Sequence, residues 1–244
     1  MGATVADPPM LIEFDHREST SPYVERVWRS RSRGGGSFLS MADSNIELVF
    51  TRLPGLLAAT LRGPVSRASF VDCPANGEWL AIRFRVGTYL PGIATAALAD
   101  HQNIQLPMLP DGRFVLQGVA WEMPRFDSAE DFVDRLARAG ALASSRHTAA
   151  ALEGDFGRVT RRSAQRHFRQ VTGMTLSGHR QIQRARSAAA LLLEGRSLLD
   201  ATFDAGYFDQ AHLTRSLRSL IGTTPARLVR ERPQLSFSYK TAAA

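Results

Sequence analysis

The sequence has one cysteine, one lysine and no apolar run near the ~20 residues that a membrane span requires. The lone thiol, Cys73, excludes an internal disulfide framework and any multi-cysteine zinc site. The opening stretch MGATVADPPMLIEFDHREST has no basic segment leading into an apolar core, so it does not read as a secretory signal. Ala6 spoils the myristoylation pattern that Met1-Gly2 could begin. There is no P-loop, no Gly-x-Gly-x-x-Gly and no Gly-x-Ser-x-Gly elbow. Six histidines (His16, His101, His147, His167, His179, His212) stand without a carboxylate or histidine at metal-ligand spacing. These absences point to a cytoplasmic chain with no membrane partner, no catalytic residues, no metal and no cofactor.

What is abundant is arginine, and it is unevenly placed. Residues 1–140 carry 14 Arg against 16 acids, a net −2. Residues 141–244 carry 15 Arg and one Lys against seven acids, a net +9. A near-neutral half joined to a basic half suggests that only the second meets a polyanion. Solvated surface charge is the plainer account of the same asymmetry.

The text divides along the same line. Residues 1–22 read as a flexible N-terminus, and Arg31–Ser37 (RSRGGGS) as a flexible loop. Strand patterns follow at Asn45–Leu53 and Glu78–Gly87. In the second, Leu80, Ile82, Phe84 and Val86 alternate with Ala81, Arg83 and Arg85, which predicts one buried face and one wet face. Arg113–Trp121 reads as a third strand. A helix then spans DSAEDFVDRLARAG, capped by Asp127 or Ser128, with acids in its first turn, arginines in its last, and Gly140 as its stop. Residues 23–140 are thus a β-rich domain, residues 141–235 are helical throughout, and 236–244 are a flexible tail.

In the basic half, VTRRSAQRHFRQVTG has Thr160 as N-cap and Gly173 at the C′ position. Ala164, Phe168 and Val171 make one apolar face. Arg162, Arg166 and Arg169 share their spacing about 200° away, joined by Arg161 and Gln165. Guanidinium and carboxamide groups are the usual major-groove readers, with other arginines on phosphates; a wet charged face is the alternative. The next helix, Leu176 to Glu194, has a Thr175 cap, an apolar stripe at Ile182, Ala185, Ala189 and Leu192, and a length of roughly 28 Å. One turn of B-DNA is about 34 Å. A short helix, Leu198–Ala205, follows the Ser197 cap and breaks at Gly206. The helix after it has a Leu213, Leu217, Leu220 core stripe, His212 and Arg215 on another face, and Asp209 and Gln210 at its tip. Thr224 caps a last helix with Pro225 at N1.

The run GYFDQAHLTRSLRSLIGTTPARLVR, preceded by RRSAQRHFRQVTGMT and RQIQRARSAAALLLEG, resembles the DNA-binding domain of the AraC/XylS family of bacterial transcription regulators over about residues 147–230. The resemblance implies an α+β chain: a β-rich, barrel-like N-terminal domain with a helix, then two helix-turn-helix subdomains joined by a linker helix. It implies two helices placed in successive major grooves. The DNA-contacting set is then Thr160, Arg161, Arg162, Gln165, Arg166, Arg169, Asp209, Gln210, His212 and Arg215. Thr202 departs from the family's small Ala, and Phe208 stands where a small capping residue is common, which moves the cap to Asp209. The first scaffolding helix, about Ala149–Phe156, contains Gly154 and reads weakly. The N-terminal half is similar to the sensory or partner domains of one AraC subgroup. The implied partners are double-stranded DNA and, as further candidates, RNA polymerase, a small-molecule effector and a second copy of the chain. An enzyme with an N-terminal active site and a DNA-targeting C-terminal half is the rival reading, and a pure interaction module is the third.

Overall fold

In a computed structural model of the protein, residues 12–100, 102–157 and 159–232 are described. The predicted tail 236–244, the first 11 residues of the predicted flexible N-terminus, and His101 fall outside them. The chain order is β1 (Ile12–Glu18), β2 (Val24–Ser32), β3 (Gly36–Ser40), β4 (Glu47–Leu53), β5 (Leu56–Arg62), β6 (Ser69–Cys73), β7 (Glu78–Phe84), β8 (Thr88–Tyr89), β9 (Ile104–Leu106), β10 (Phe114–Leu116), β11 (Val119–Trp121), α1 (Ala129–Arg138), β12 (Ala143–Ser144), α2 (Arg146–Glu153), α3 (Arg161–Thr172), α4 (Leu176–Leu193), α5 (Leu198–Asp204), α6 (Gln210–Leu220) and α7 (Pro225–Glu231). A β-rich N-terminal region therefore precedes a helical C-terminal region, although the stretch 141–235 read as helical throughout opens with β12, which pairs with β8.

Six strands make one antiparallel sheet in the order β1-β2-β7-β4-β5-β9. Its core face carries Val27, Leu48, Phe50, Leu61, Ile82 and Phe84, which pack against Phe132, Val133 and Leu136 of α1 and Phe114 and Leu116 of β10. Phe50, Phe114 and Phe132 meet edge-on or tilted, with ring centroids 5.3–6.3 Å apart. That is the geometry the aromatic quadrupole favours.

Five local readings change. Ile12–Glu18 lies in the stretch read as flexible, yet it is held along its length as β1 by pairing with β2. The glycine-rich run is not all loop, because its ends belong to β2 and β3. Arg113–Trp121 is a hairpin rather than one strand, since β10 and β11 pair across a two-residue turn at Gln117–Gly118. Its Arg113 precedes the first strand. The supposed wet face of β7 is covered in part: Ala81 is fully buried and only 11% of the Arg83 side chain is exposed, because Glu25, Asp43 and Glu47 close around it, whereas Arg85 stays exposed as read. Helix α2 also begins earlier than read: Ser145 caps it by accepting from Thr148 N, and it ends at Gly154.

The two regions share cores. Leu39 and Met41, from β3 and the turn after it, pack with Ala185, Leu192, Leu213 and Leu217 of the helical region. Val86 packs with Ala151, Phe168 and Leu176. Backbone bonds run from Ala42 N to Leu220 O at 2.8 Å and from Ala68 N to Ser219 O at 2.9 Å. The glycines that follow α3 and α6 are both contact points. A Cβ on Gly173 would lie 2.8 Å from Thr95 O, and one on Gly222 would lie 2.5 Å from Leu39 Cδ1.

Candidate nucleic-acid interface

Each helix of the basic half starts where a side chain can satisfy its orphan N–H groups. Thr160 accepts from Ser163 N, Thr175 from Gly178 N, Ser197 from Asp200 N, Asp209 from His212 N and Thr224 from Arg227 N. Asp209 takes the capping role that Phe208 cannot, and Phe208 is left 87% exposed. Thr202 is fully buried in the alanine-like position. Its hydroxyl is accommodated by donating to Leu198 O at 2.6 Å.

Helix α3 buries Ala164, Phe168 and Val171 and exposes Arg161, Arg162, Gln165, Arg166 and Arg169. Helix α6 buries Leu213 and Leu217 and exposes Gln210, His212 and Arg215. Between them runs α4, 18 residues and about 27 Å long. The three helices enclose a cleft of about 470 Å³. Of the sequence-selected residues, Arg161, Gln165, His212 and Arg215 line it. Arg162, Arg166 and Arg169 stand outside the cleft on the exposed side of α3, and Gln210 stands at the tip of α6. The Thr160 and Asp209 side chains are occupied as caps.

Arg180, Gln181 and Arg184 of α4 also line the cleft and escaped the sequence reading. Their signal was present: Arg180 and Arg184 are four residues apart, on the side of α4 away from the Ile182–Leu192 stripe. No carboxylate lines the cleft. Arg184 lies over the Tyr207 ring, 5.6 Å from its centroid, and the Tyr207 hydroxyl meets Ser216 Oγ at 2.8 Å. Burial pushes the Tyr207 phenol above its ordinary range, so it stays protonated. His212 packs edge-on against the same ring at 5.1 Å. His167, by contrast, turns toward the α2 cap, with Nε2 2.8 Å from Ser145 Oγ.

The other side of α4 meets the sheet. Arg186 lies 2.9 Å from Asp43 Oδ2 and donates to Ala42 O at 2.9 Å. Arg83 holds Asp43 from the opposite side, with Nη2 to Oδ1 at 2.5 Å, and donates to Asn45 Oδ1 at 2.8 Å. Burial pushes the Asp43 carboxyl upward, but Arg186 and Arg83 outweigh it and hold the group at about 2. His179 Nδ1 meets Ser44 Oγ at 2.7 Å. Burial, aided by Arg186, pushes this imidazole below its ordinary value.

A second concavity, about 560 Å³, opens at the far end of the sheet, with Phe50, Leu80, Met123 and Phe126 at its apolar wall. Arg29 and Arg31 of its rim pair with Asp15 and Glu78. Arg52 has no ion pair among the described residues. Cys73 is buried, and burial raises its thiol, so it is not a thiolate nucleophile. Among the described residues no group of His, Cys, Asp or Glu could hold a metal ion, and no helix is long and apolar enough to cross a membrane.

Comparison with known proteins agrees with the helical region. No curated protein matches the chain. Among solved structures, an apo-form variant of ToxT from Vibrio cholerae aligns with 87% of this chain and 98% of its own, at 8% identity and a TM-score of 0.37. Residues 157–231 match the family described as helix-turn-helix domain. These residues are a helix-turn-helix domain of the AraC type.

Proposed function

We propose that the protein is a sequence-specific regulator that inserts α3 and α6 into successive major grooves on one side of the duplex. The observation that carries this is the carboxylate-free cleft, with an arginine-bearing helix on each flank. Arg162, Gln165 and Arg166 are the richer base-reading set, since guanidinium and carboxamide groups make bidentate contacts with guanine and adenine. His212 and Arg215 are the poorer set. Arg161 and Arg169 hold phosphates, and the N–H groups around the Thr160 and Asp209 caps approach the backbone. On this reading the working domains are the β-rich one, 23–140 extended by β1, and the helical one, 141–235, and no chemical step is catalysed.

The N-terminal domain controls the helical one through a small effector. Its site is the concavity between Phe50, Leu80, Met123 and Phe126, where the unpaired Arg52 supplies a polar anchor. The strands that line it, β4 and β7, also carry Glu47 and Arg83 at the junction with α4. RNA polymerase, a second copy of the chain and a place on the nucleoid are the matching partners and setting.

Mapping bound sites across the genome, followed by footprinting, tests the core of this. Two protected major grooves about one helical turn apart are expected. A single protected groove sinks the two-helix reading, and no enriched sequence sinks sequence-specific binding.

A further inference from the structure

We propose that α4 is a third DNA-contacting element, in which Arg180 and Arg184 bind the phosphates bordering the minor groove between the two major-groove sites. This rests on the two-helix reading above. If α3 and α6 occupy successive major grooves on one side of a duplex, the minor groove lies between them. What faces it is the floor of the cleft, and that floor is α4.

The floor has the chemistry of a phosphate site. Ser177, Arg180, Gln181 and Arg184 all line the cleft. At 100° per residue they cluster about 160° around α4 from His179 and Arg186, the pair that faces the sheet. Arg186 is matched by Asp43 at 2.9 Å. Arg180 and Arg184 have no carboxylate partner among the described residues. Each is instead braced by one weak contact, and each brace comes from a different subdomain. Arg180 Nη2 reaches Ala151 O of α2 at 3.4 Å, while Arg184 lies on the Tyr207 ring. The braces orient the two groups and leave most of their N–H donors free. A guanidinium has five such donors and no acceptor, so an anion with several acceptor oxygens is the complementary occupant. At i and i+4 they share one face of α4, so two long side chains reach toward the same stretch of duplex from the cleft floor.

The test is fluorescence anisotropy of the full chain on a 30-bp random-sequence duplex, from 50 to 200 mM salt. Each lost phosphate contact flattens the slope of log K on log salt by about 0.9, so the fall in affinity over that range shrinks by about 3.5-fold. Arg180→Gln and Arg184→Gln are each expected to show this, the double variant to show both, and Arg184→Lys to restore the slope. Arg138→Gln, the same charge change at an exposed position at the end of α1, is expected to leave the slope unchanged. A double variant with the unaltered slope overturns the proposal. So does an equal change from Arg138→Gln, which reduces the effect to net charge. A loss that appears only when the duplex centre is an A-tract also overturns it, because that is minor-groove shape reading rather than phosphate binding. Failure of the unaltered protein to bind the duplex at 50 mM salt is a different result: it overturns the DNA-binding reading itself.

Discussion

Helix α4 has two charged faces, and they use arginine in opposite ways. On the sheet side, Arg186 shares Asp43 with Arg83, and the three groups are largely buried. On the cleft side, Arg180 and Arg184 stand without a carboxylate. Composition and spacing along α4 make these arginines look alike. A guanidinium matched inside the protein holds two regions together, and breaking such a match leaves a buried charge exposed to a low-dielectric surrounding. A guanidinium left unmatched at the surface is available to a polyanion.

Removing the shared carboxylate should have the largest effect. Asp43→Asn takes from Arg186 its carboxylate and leaves Arg83 only the longer contacts to Glu25 and Glu47, both at 3.4 Å, and we expect it to cost about 3–5 kcal/mol in urea unfolding of the full chain. A cost under about 1 kcal/mol would mean that Glu25 and Glu47 already neutralise Arg83 and that the junction is not the tight face of α4. Next comes Leu39→Ala. Leu39 belongs to the β-rich region but packs in the core of the second helix-turn-helix subdomain, so a loss of about 2–5 kcal/mol is expected. It should melt that subdomain as well as β3; retained protection of α6 amides in hydrogen exchange would show that the two cores are separable.

Arg166→Ala sharpens the contrast from the other side. Arg166 is exposed and unpaired among the described residues, so folding stability should change by less than about 0.5 kcal/mol. Binding to a selected site should weaken by about 1–3 kcal/mol, with relaxed preference at one or two base pairs. A uniform loss on every sequence would make Arg166 a phosphate contact instead.

The smallest effect is that of pH. His179 meets Ser44 and lies in the field of Arg186, Asp43, Glu25 and, more weakly, Arg180, and burial first of all holds its folded pKa below the ordinary value. The unfolded chain therefore binds its proton first. Stability should be full above about pH 6.5 and decline as pH falls below it, by at most about 1.4 kcal/mol per unit. Asp43 acts later and in the same direction, since its stabilisation is present above its unfolded value near 4 and is lost toward about 2. His179→Asn should flatten the upper window alone, read by urea titration at pH 5 and 7.

The helical half was largely legible because its determinants are local. Thr160, Thr175, Ser197 and Thr224 cap the helices at the positions their hydroxyls suggest, the Phe168 stripe is buried as its spacing requires, and so are Leu213 and Leu217, while Leu220, the third of that stripe, is only partly buried. The β-rich half was legible only in part. Nothing near Arg83 in the sequence shows that Asp43, 40 residues away, will cover it, and nothing in Leu39 and Met41 names the helices they join. The phosphate-facing side of α4 lay between these cases. Its periodicity was visible, but attention to the apolar stripe hid it.

The contacts at Gly173 and Gly222 bear on how such a chain can be rebuilt. Helices α3 and α6 are each followed by a glycine that the β-rich region approaches closely, through Thr95 in one case and Leu39 in the other. These two positions are bound by both halves at once. A chimera that joins this helical half to an unrelated N-terminal module at about residue 140 keeps every residue of the cleft. It nevertheless inherits two bare notches and an apolar hole that only this sheet was shaped to fill. Moving the helical half onto a new N-terminal partner therefore requires carrying β3, its following segment and the Thr95 segment with it, or redesigning both notches for the new neighbour.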